Sequence, residues 1–293
     1  MKKTLSAIVL LCICHSGFAQ KDSIFVNRDK DTISLGGIII LKKGNPEEKN
    51  RITVTLGKPQ KNRKNSNLTT HSLFFDLGFA NWTDNTDYLS ATSNSDLISR
   101  PGSSAIGSKD FKLRAGKSSN VNIWLIGQRL NLANHQFNLK YALGFEIFNY
   151  RFKSNLSFSE GGFNPYDHNQ DIAHAFIYTD SVSFSKNKLV TKYLTIPVML
   201  NFRSNPEYSN RGVNLSAGVS FGYLIGSRTK QKSSERGKQK NRGDFDLERW
   251  NFAYVGEIGI GSINLYGTYS PKSLFRNELN FQPYAIGLRF SNW

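Results

Sequence analysis

A chain of 293 residues with 21 Phe, 12 Tyr and 24 Gly but only 2 Met suits an all-β protein better than a helical one. Aromatic residues fit pleated surfaces and glycine serves the turns between strands. The formal net charge of +16 points to anionic surroundings and leaves the fold open.

The first residues, MKKTLSAIVLLCICHSGFAQ, combine Lys2 and Lys3 with an apolar run from Leu5 to Cys14 and the small-residue pattern Gly17-Phe18-Ala19. This predicts a cleavable secretory signal over 1–19, too short for a spanning helix. Leu11 and Ile13 are poor residues to precede a lipidated Cys12 or Cys14, which argues against a lipoprotein. Both cysteines leave with the signal, so disulfides, thiol catalysis and Cys-bound zinc are excluded from the mature chain. Its charge falls to +14 as Lys2 and Lys3 are lost. No later segment approaches ~18 consecutive apolar residues, so no membrane helix is expected.

Residues 20–70 are expected to form a periplasmic segment. They hold two short strand patterns, Ile38-Ile39-Ile40-Leu41 and "RITVTL" (51–56), followed by the basic linker "GKPQKNRKNSN" (57–67). Lys58, Lys61, Arg63 and Lys64 could touch anionic headgroups there.

From residue 71 to 293 an outer-membrane β-barrel is predicted. Eight strand candidates lie at about 72–82, 120–131, 136–152, 189–203, 212–226, 250–260, 263–270 and 282–291. The gaps at 83–119, 153–188, 227–249 and 271–281 are long and polar, whereas 132–135, 204–211 and 261–262 are short. That rhythm fits an up-and-down antiparallel transmembrane barrel of eight strands, with short periplasmic turns and long external loops.

Each strand alternates, and its second face decides which side is inside. In "QFNLKYALGFEIFNYRF" the apolar set Phe137, Leu139, Tyr141, Leu143, Phe145 and Ile147 opposes Asn138, Lys140, Ala142, Gly144 and Glu146. Leu73, Phe75, Leu77 and Phe79 likewise oppose Phe74, Asp76, Gly78 and Ala80. Gly, Ala, Ser and Asn suit the crowded interior of a narrow barrel better than a water-facing surface. A soluble lipocalin-like barrel would share the alternation but not the small opposite face. The large apolar side is therefore expected to face lipid. Trp82 and Trp250 at the external strand ends, with Phe137, Phe202 and Trp293 at the periplasmic ends, fit interfacial girdles.

Several segments together resemble outer-membrane β-barrel proteins of Bacteroidetes-type bacteria, the broad PorT-like group. They are "FFDLGFANWTDNTDY" (74–88), "NVNIWLIGQRLNLANHQFNLKYALGFEIFNYRF" (120–152), "YLTIPVMLNF" (193–202) and "NLYGTYSPKSLFRNELNFQPYAIGLRF" (264–290). The resemblance implies outer-membrane location and, through PorT itself, a link to envelope or secretion machinery. The closing alternation of Tyr284, Ile286, Leu288 and Phe290, ended by Trp293, resembles the C-terminal signal read by the barrel-assembly machinery.

Asp76, Glu146, Glu257 and Arg289 fall on the predicted lumen face. Buried charges need partners, so Arg289 should meet at least one of the carboxylates, as a register-fixing polar plug or as an ion path. The third external loop, "RTKQKSSERGKQKNR" (228–242), sets Arg228, Lys230, Lys232, Arg236, Lys238, Lys240 and Arg242 against Glu235 alone. It would attract lipopolysaccharide phosphates or acidic polysaccharide, or else be a solvated loop. Without interleaved aromatics for stacking, nucleic acid is not expected.

No metal or cofactor is expected. "DHNQD" (167–171) has calcium-loop spacing but lacks the Gly and terminal Glu of an EF-hand. "GSSAIGSK" (102–109) only approximates a phosphate loop. His168 and His174 have no evident nucleophile beside them. The sequence thus favours a monomeric, non-enzymatic structural or interaction protein, with lipid, lipopolysaccharide, the assembly machinery and an envelope or secretion protein as partners. The alternatives are a small channel, porin-like only if more strands exist, and a lipid-modifying enzyme at the rim.

Overall fold

The computed structural model describes residues 66–205, 212–260 and 263–291, together with the backbone of three earlier strands. The chain divides into two compact units, Met1–Lys64 and Asn65–Trp293. In the first, β1 (Thr32–Leu35), β2 (Ile38–Lys43) and β3 (Arg51–Leu56) form an antiparallel sheet in the order β1-β2-β3. The two strands expected there pair in register, with Ile38 opposite Leu56. The signal at 1–19 and most of the basic linker lie outside the described residues.

The second unit begins with β4 (Leu68–Asp84), helix α1 (Tyr88–Ser93), β5 (Leu97–Ile98), β6 (Ser119–Ala133) and β7 (Phe137–Arg151). Next come β8 (Leu156–Ser159), β9 (Gly162–Asn164), β10 (Asp167–Ile172), β11 (Phe176–Thr179), β12 (Lys186–Arg203) and β13 (Val213–Ser233). It ends with β14 (Gly237–Arg242), β15 (Trp250–Ile260), β16 (Ile263–Tyr269) and β17 (Phe281–Arg289). The main sheet runs β12-β7-β6-β4-β17-β16-β15-β13-β14, and β12 pairs with β13 as well as with β7.

Period-two alternation produces this sheet, and burial identifies its faces. Along β7, Asn138, Lys140, Ala142 and Glu146 are buried while Phe137 is exposed and Leu139 to Ile147 are half-covered. Along β4, Phe74, Asp76 and Ala80 are buried, and Leu73, Phe75, Leu77 and Phe79 are exposed. Exposed Leu200, Phe221, Ile258, Leu265 and Ile286 extend the apolar face around the sheet. So much outward apolar surface is far beyond what a water-soluble surface carries. No helix among the described residues is long and apolar enough to cross a membrane; the exposed apolar face is carried by strands.

The inner face is crowded enough to require glycine at one place. Gly78 and Gly287 lie directly opposite each other on β4 and β17. A Cβ on Gly287 would sit 2.3 Å from the Leu77 carbonyl oxygen and 2.4 Å from Gly78 Cα. Tyr266 of β16, opposite Gly287, covers the gap with its ring, a cross-strand remedy for glycine in a sheet.

The expected fold class is corrected. The chain is not an eight-stranded up-and-down barrel joined by polar loops. Its described residues contain seventeen strands in four sheets, the main sheet has a ninth strand, and β11 pairs in parallel with β5. The eight expected strands coincide with β4, β6, β7, β12, β13, β15, β16 and β17, but the long gaps between them are folded. Leu97, Ile106, Phe111 and Leu113 from the first connection pack with Leu156, Phe158 and Ile177 from the second. Phe245, Leu247, Leu274, Phe275 and Leu279 from the third and fourth join them, over strand-end residues Trp82, Tyr150, Leu189 and Phe281. The largest apolar cluster is therefore a cap on one end of the main sheet. Trp82, expected in a lipid-facing girdle, is inside this cap, 4.8 Å from Tyr150 and 5.0 Å from Phe281 between ring centroids. It falls on the inner side of β4 because it shares parity with Asp76 and Ala80. Trp250 remains exposed. Trp293 lies outside the described residues.

Candidate functional site

Beneath the cap the inner face changes character. Arg289 on β17 grips Asp76 on the adjacent β4 with two bonds, Nε to Oδ1 at 2.7 Å and Nη2 to Oδ2 at 2.6 Å. Its Nη1 donates to Glu257 on β15. Glu257 also receives Lys140 of β7 at 2.5 Å, although four strands, β6, β4, β17 and β16, lie between β7 and β15 in the sheet. The sheet therefore curls until opposite strands touch through charged side chains. All four groups are buried.

Neutral donors complete the network. Trp124 Nε1 donates to Asp76 at 2.7 Å and Asn122 Nδ2 at 3.2 Å. Ser216 donates to Glu257 at 3.2 Å while accepting from Lys140 at 3.3 Å. The Arg289 guanidinium lies 5.4 Å from the Trp124 ring centroid and 5.8 Å from those of Phe74 and Tyr266, a cation–π setting that favours arginine over lysine. Bidentate geometry, full hydrogen bonding and ring contact offset the desolvation that makes buried ion pairs costly.

Three of the four expected lumen charges thus meet. Glu146 does not join their contacts: it is buried on the same face and accepts from Thr195 Oγ1 at 3.0 Å. Lys140 was absent from the expected cluster, yet it bridges to Glu257. The signal was available, because Lys140 and Glu146 are six residues apart on one strand and so share a face.

The seven basic residues expected in a loop are also placed differently. β13 runs on to Ser233, β14 returns from Gly237, and Arg228, Lys230 and Lys232 stand opposite Arg242, Lys240 and Lys238. This is a hairpin, closed at Gly237 with φ +63°. Arg236, in its turn, pairs with Asp180 at 3.0 Å. Thr229, Gln231 and Ser233 point to the buried side, where Gln231 donates to Ser157 Oγ at 2.8 Å. The alternation of cation and small polar residue from 228 to 233 was the overlooked strand signal.

Ile286 and Leu288 on the last strand and Phe290 just after it are exposed, and Tyr284 is half-exposed. His174 has an acid partner that the sequence did not suggest, with Nε2 3.4 Å from Asp96. His168 lies on exposed β10. Among the described residues no hydroxyl hydrogen-bonds to either histidine, and no group of three or more His, Cys, Asp or Glu could hold a metal ion.

A family model described as "Outer membrane protein beta-barrel domain" matches residues 52–277. The chain belongs to this family. Membership places it in the outer membrane, in agreement with the lipid-matched outer face and with the broad resemblance read from its segments. No curated protein matches the chain. Among solved structures, it is similar to two of Ail, the attachment invasion locus protein of Yersinia pestis, one in complex with the heparin analogue sucrose octasulfate. Each aligns at 10% identity over 75% of this chain and 97% of that chain, with a TM-score of 0.28.

Proposed function

We propose that this family member is a non-conducting, non-catalytic outer-membrane protein that presents a folded cap and a basic hairpin for interaction at the cell surface. One observation carries the reading: all four long connections pack a single apolar cluster over an interior held by Arg289, Asp76, Glu257 and Lys140. Solute would have to displace both. In this reading the ion network pins strand register rather than selecting ions. The segment 20–70 is periplasmic, and the connections lie outside. Tyr284, Ile286, Leu288, Phe290 and Trp293 serve as the assembly signal. Association with envelope or secretion machinery, the role implied by the PorT resemblance, suits a protein that offers a surface instead of a pore.

Single-channel recording of the refolded mature protein in planar bilayers tests this, with heat-modifiable gel mobility as evidence of folding. A folded and silent protein is expected. Steady conductance from folded protein would overturn the reading and turn Asp76, Glu257 and Arg289 into selectivity residues.

A further inference from the structure

The outward side of the hairpin continues into the strands beside it. Lys188 of β12 stands opposite both Arg151 of β7 and Lys230 of β13, and Lys230 stands opposite Lys240 of β14. One row therefore carries a cation on each of four successive strands. The next row reads Lys186, Lys232, Lys238, and the row on the other side sets Arg228 against Arg242. Facing residues in an antiparallel pair have Cβ atoms about 5 Å apart, and like charges there repel. None of these nine cations is in an ion pair among the described residues. Arg151 and Lys188 find only neutral acceptors, the Ser185 carbonyl and the Asn149 amide oxygen. The Nε atoms of Arg151 and Arg228 are buried without a hydrogen-bond partner among the described residues. Lys230 lies beyond the membrane-facing part of β13, and the charges of Lys186 and Lys238 hold its ammonium below the usual lysine range.

Position narrows the counter-ion. The pairing of β13 with β15 ends at Tyr223 opposite Trp250, two exposed rings 4.9 Å apart that mark an interfacial belt. The cation rows begin just beyond it on the same outward face. At the belt-side row lies a recess of about 340 Å³ lined by Lys192, Arg228 and Arg242 together with Val190 and Ile225. Val190, in the Arg228 row, and Ile225 interleave with Lys192, Arg228 and Arg242, a mixture that suits a molecule joining acyl chains to a phosphate headgroup.

We infer that this outward cation surface docks the phosphate-bearing glycolipid of the outer leaflet, with one phosphate received by Lys192, Arg228 and Arg242. The inference deepens the proposed surface role and rests on it for the identity of the leaflet. A charge near a membrane surface is worth about 1 kcal/mol, or roughly fivefold in affinity. Removing two should therefore cost on the order of twentyfold.

The test uses the refolded mature protein in detergent, where lipid binding depends neither on conductance nor on the direction of insertion. Bisphosphorylated lipid A, its dephosphorylated form and soluble dextran sulfate are the probes; Arg228→Gln/Arg242→Gln and Lys230→Gln/Lys240→Gln are the variants, checked for folding by heat-modifiable mobility. The expected result is a preference of tenfold or more for the phosphorylated lipid, weakened by salt and lost about twentyfold in the first variant. Equal binding of the dephosphorylated lipid would overturn the inference. So would tighter binding of dextran sulfate, which would assign the surface to a soluble polyanion. Variants that self-associate yet retain full lipid binding would likewise overturn it, leaving the lysines as guards of an exposed strand edge. A conducting protein that still prefers phosphorylated lipid would refute the proposed function and leave this docking surface standing.

Discussion

The cap and the ion network share the inner side of one sheet, yet they are built from opposite chemistry. Where the connections cover the strand ends, the interior is a packed aromatic and aliphatic cluster, with Phe111 and Phe281 ring centroids 4.8 Å apart. Where only strands surround it, the interior centres on Asp76, Lys140, Glu257 and Arg289 with their amide and hydroxyl donors, beside a small apolar cluster that includes Phe74, Trp124 and Met199. The difference teaches where a membrane sheet can obtain a hydrophobic core. Its strands turn most of their large apolar residues outward, so the face left inside is mainly small or polar, with Phe74, Trp124, Met199 and Val255 as a small apolar cluster within it. Polar groups buried there are stable only when they saturate one another. Most apolar packing has to come from elsewhere, and the connections supply it.

The sharpest way to break the ion-paired half is Arg289→Met. It leaves Asp76 and one side of Glu257 without their cation, and losing one partner of a buried ion pair costs about 3–5 kcal/mol. The urea midpoint of the heat-modifiable band should fall accordingly. Adding Asp76→Leu should recover much of the loss, because a buried pair replaced by apolar residues is often neutral. No shift in the single variant would mean that the network pins nothing.

The apolar half should respond locally. Leu247, fully buried and bridged to Phe275, loses about 2–5 kcal/mol of packing on change to Ala. Limited proteolysis should then cut the connection at 153–185 faster while the main sheet stays protected. Loss of protection throughout would show that cap and sheet fold as one. Between the two regions, Gly287→Ala should cost about 1–3 kcal/mol by overpacking, since the added carbon would meet the backbone of β4. An unchanged midpoint would mean that the β4–β17 seam can widen.

Strand positions and faces were legible because each long strand repeats its alternation many times. Phe75, Leu77 and Phe79 against Phe74, Asp76 and Ala80 leave little ambiguity about parity. The partnership of Arg289 with the carboxylates was legible too, since charges of opposite sign on the inner face have few alternatives. The cap was not. Its residues arrive singly or in pairs within polar stretches, as with Ile106 in "GSSAIGSK" and Leu247 in "GDFDLERW", and no period survives over such short elements. Trp82 was misplaced for a related reason: aromatic type suggested a girdle, while strand parity, the stronger physical constraint, put it inside. The hairpin at 228–242 was hidden by charge, because lysine and arginine read as solvent even when they alternate.

That hairpin offers the smallest and most discriminating effect. Inside the sheet Lys140 and Arg289 are charges held by carboxylates; on the hairpin Lys230 and Lys240 face each other with neither neutralised. Opposed like charges on paired strands repel, and in water this repulsion is partly screened. Lys230→Gln/Lys240→Gln should therefore raise the urea midpoint slightly in low-salt detergent, an effect opposite in sign to Arg289→Met although both remove positive charge. The gain should shrink as salt is added, since screening already relieves the repulsion in the parent protein. It should also vanish or reverse when bisphosphorylated lipid A is present, because the anion then supplies to the hairpin what Asp76 and Glu257 supply to Arg289. A midpoint insensitive to both salt and lipid would mean that the side chains splay far enough apart to escape each other, and the contrast between compensated and uncompensated charge would lose its energetic basis.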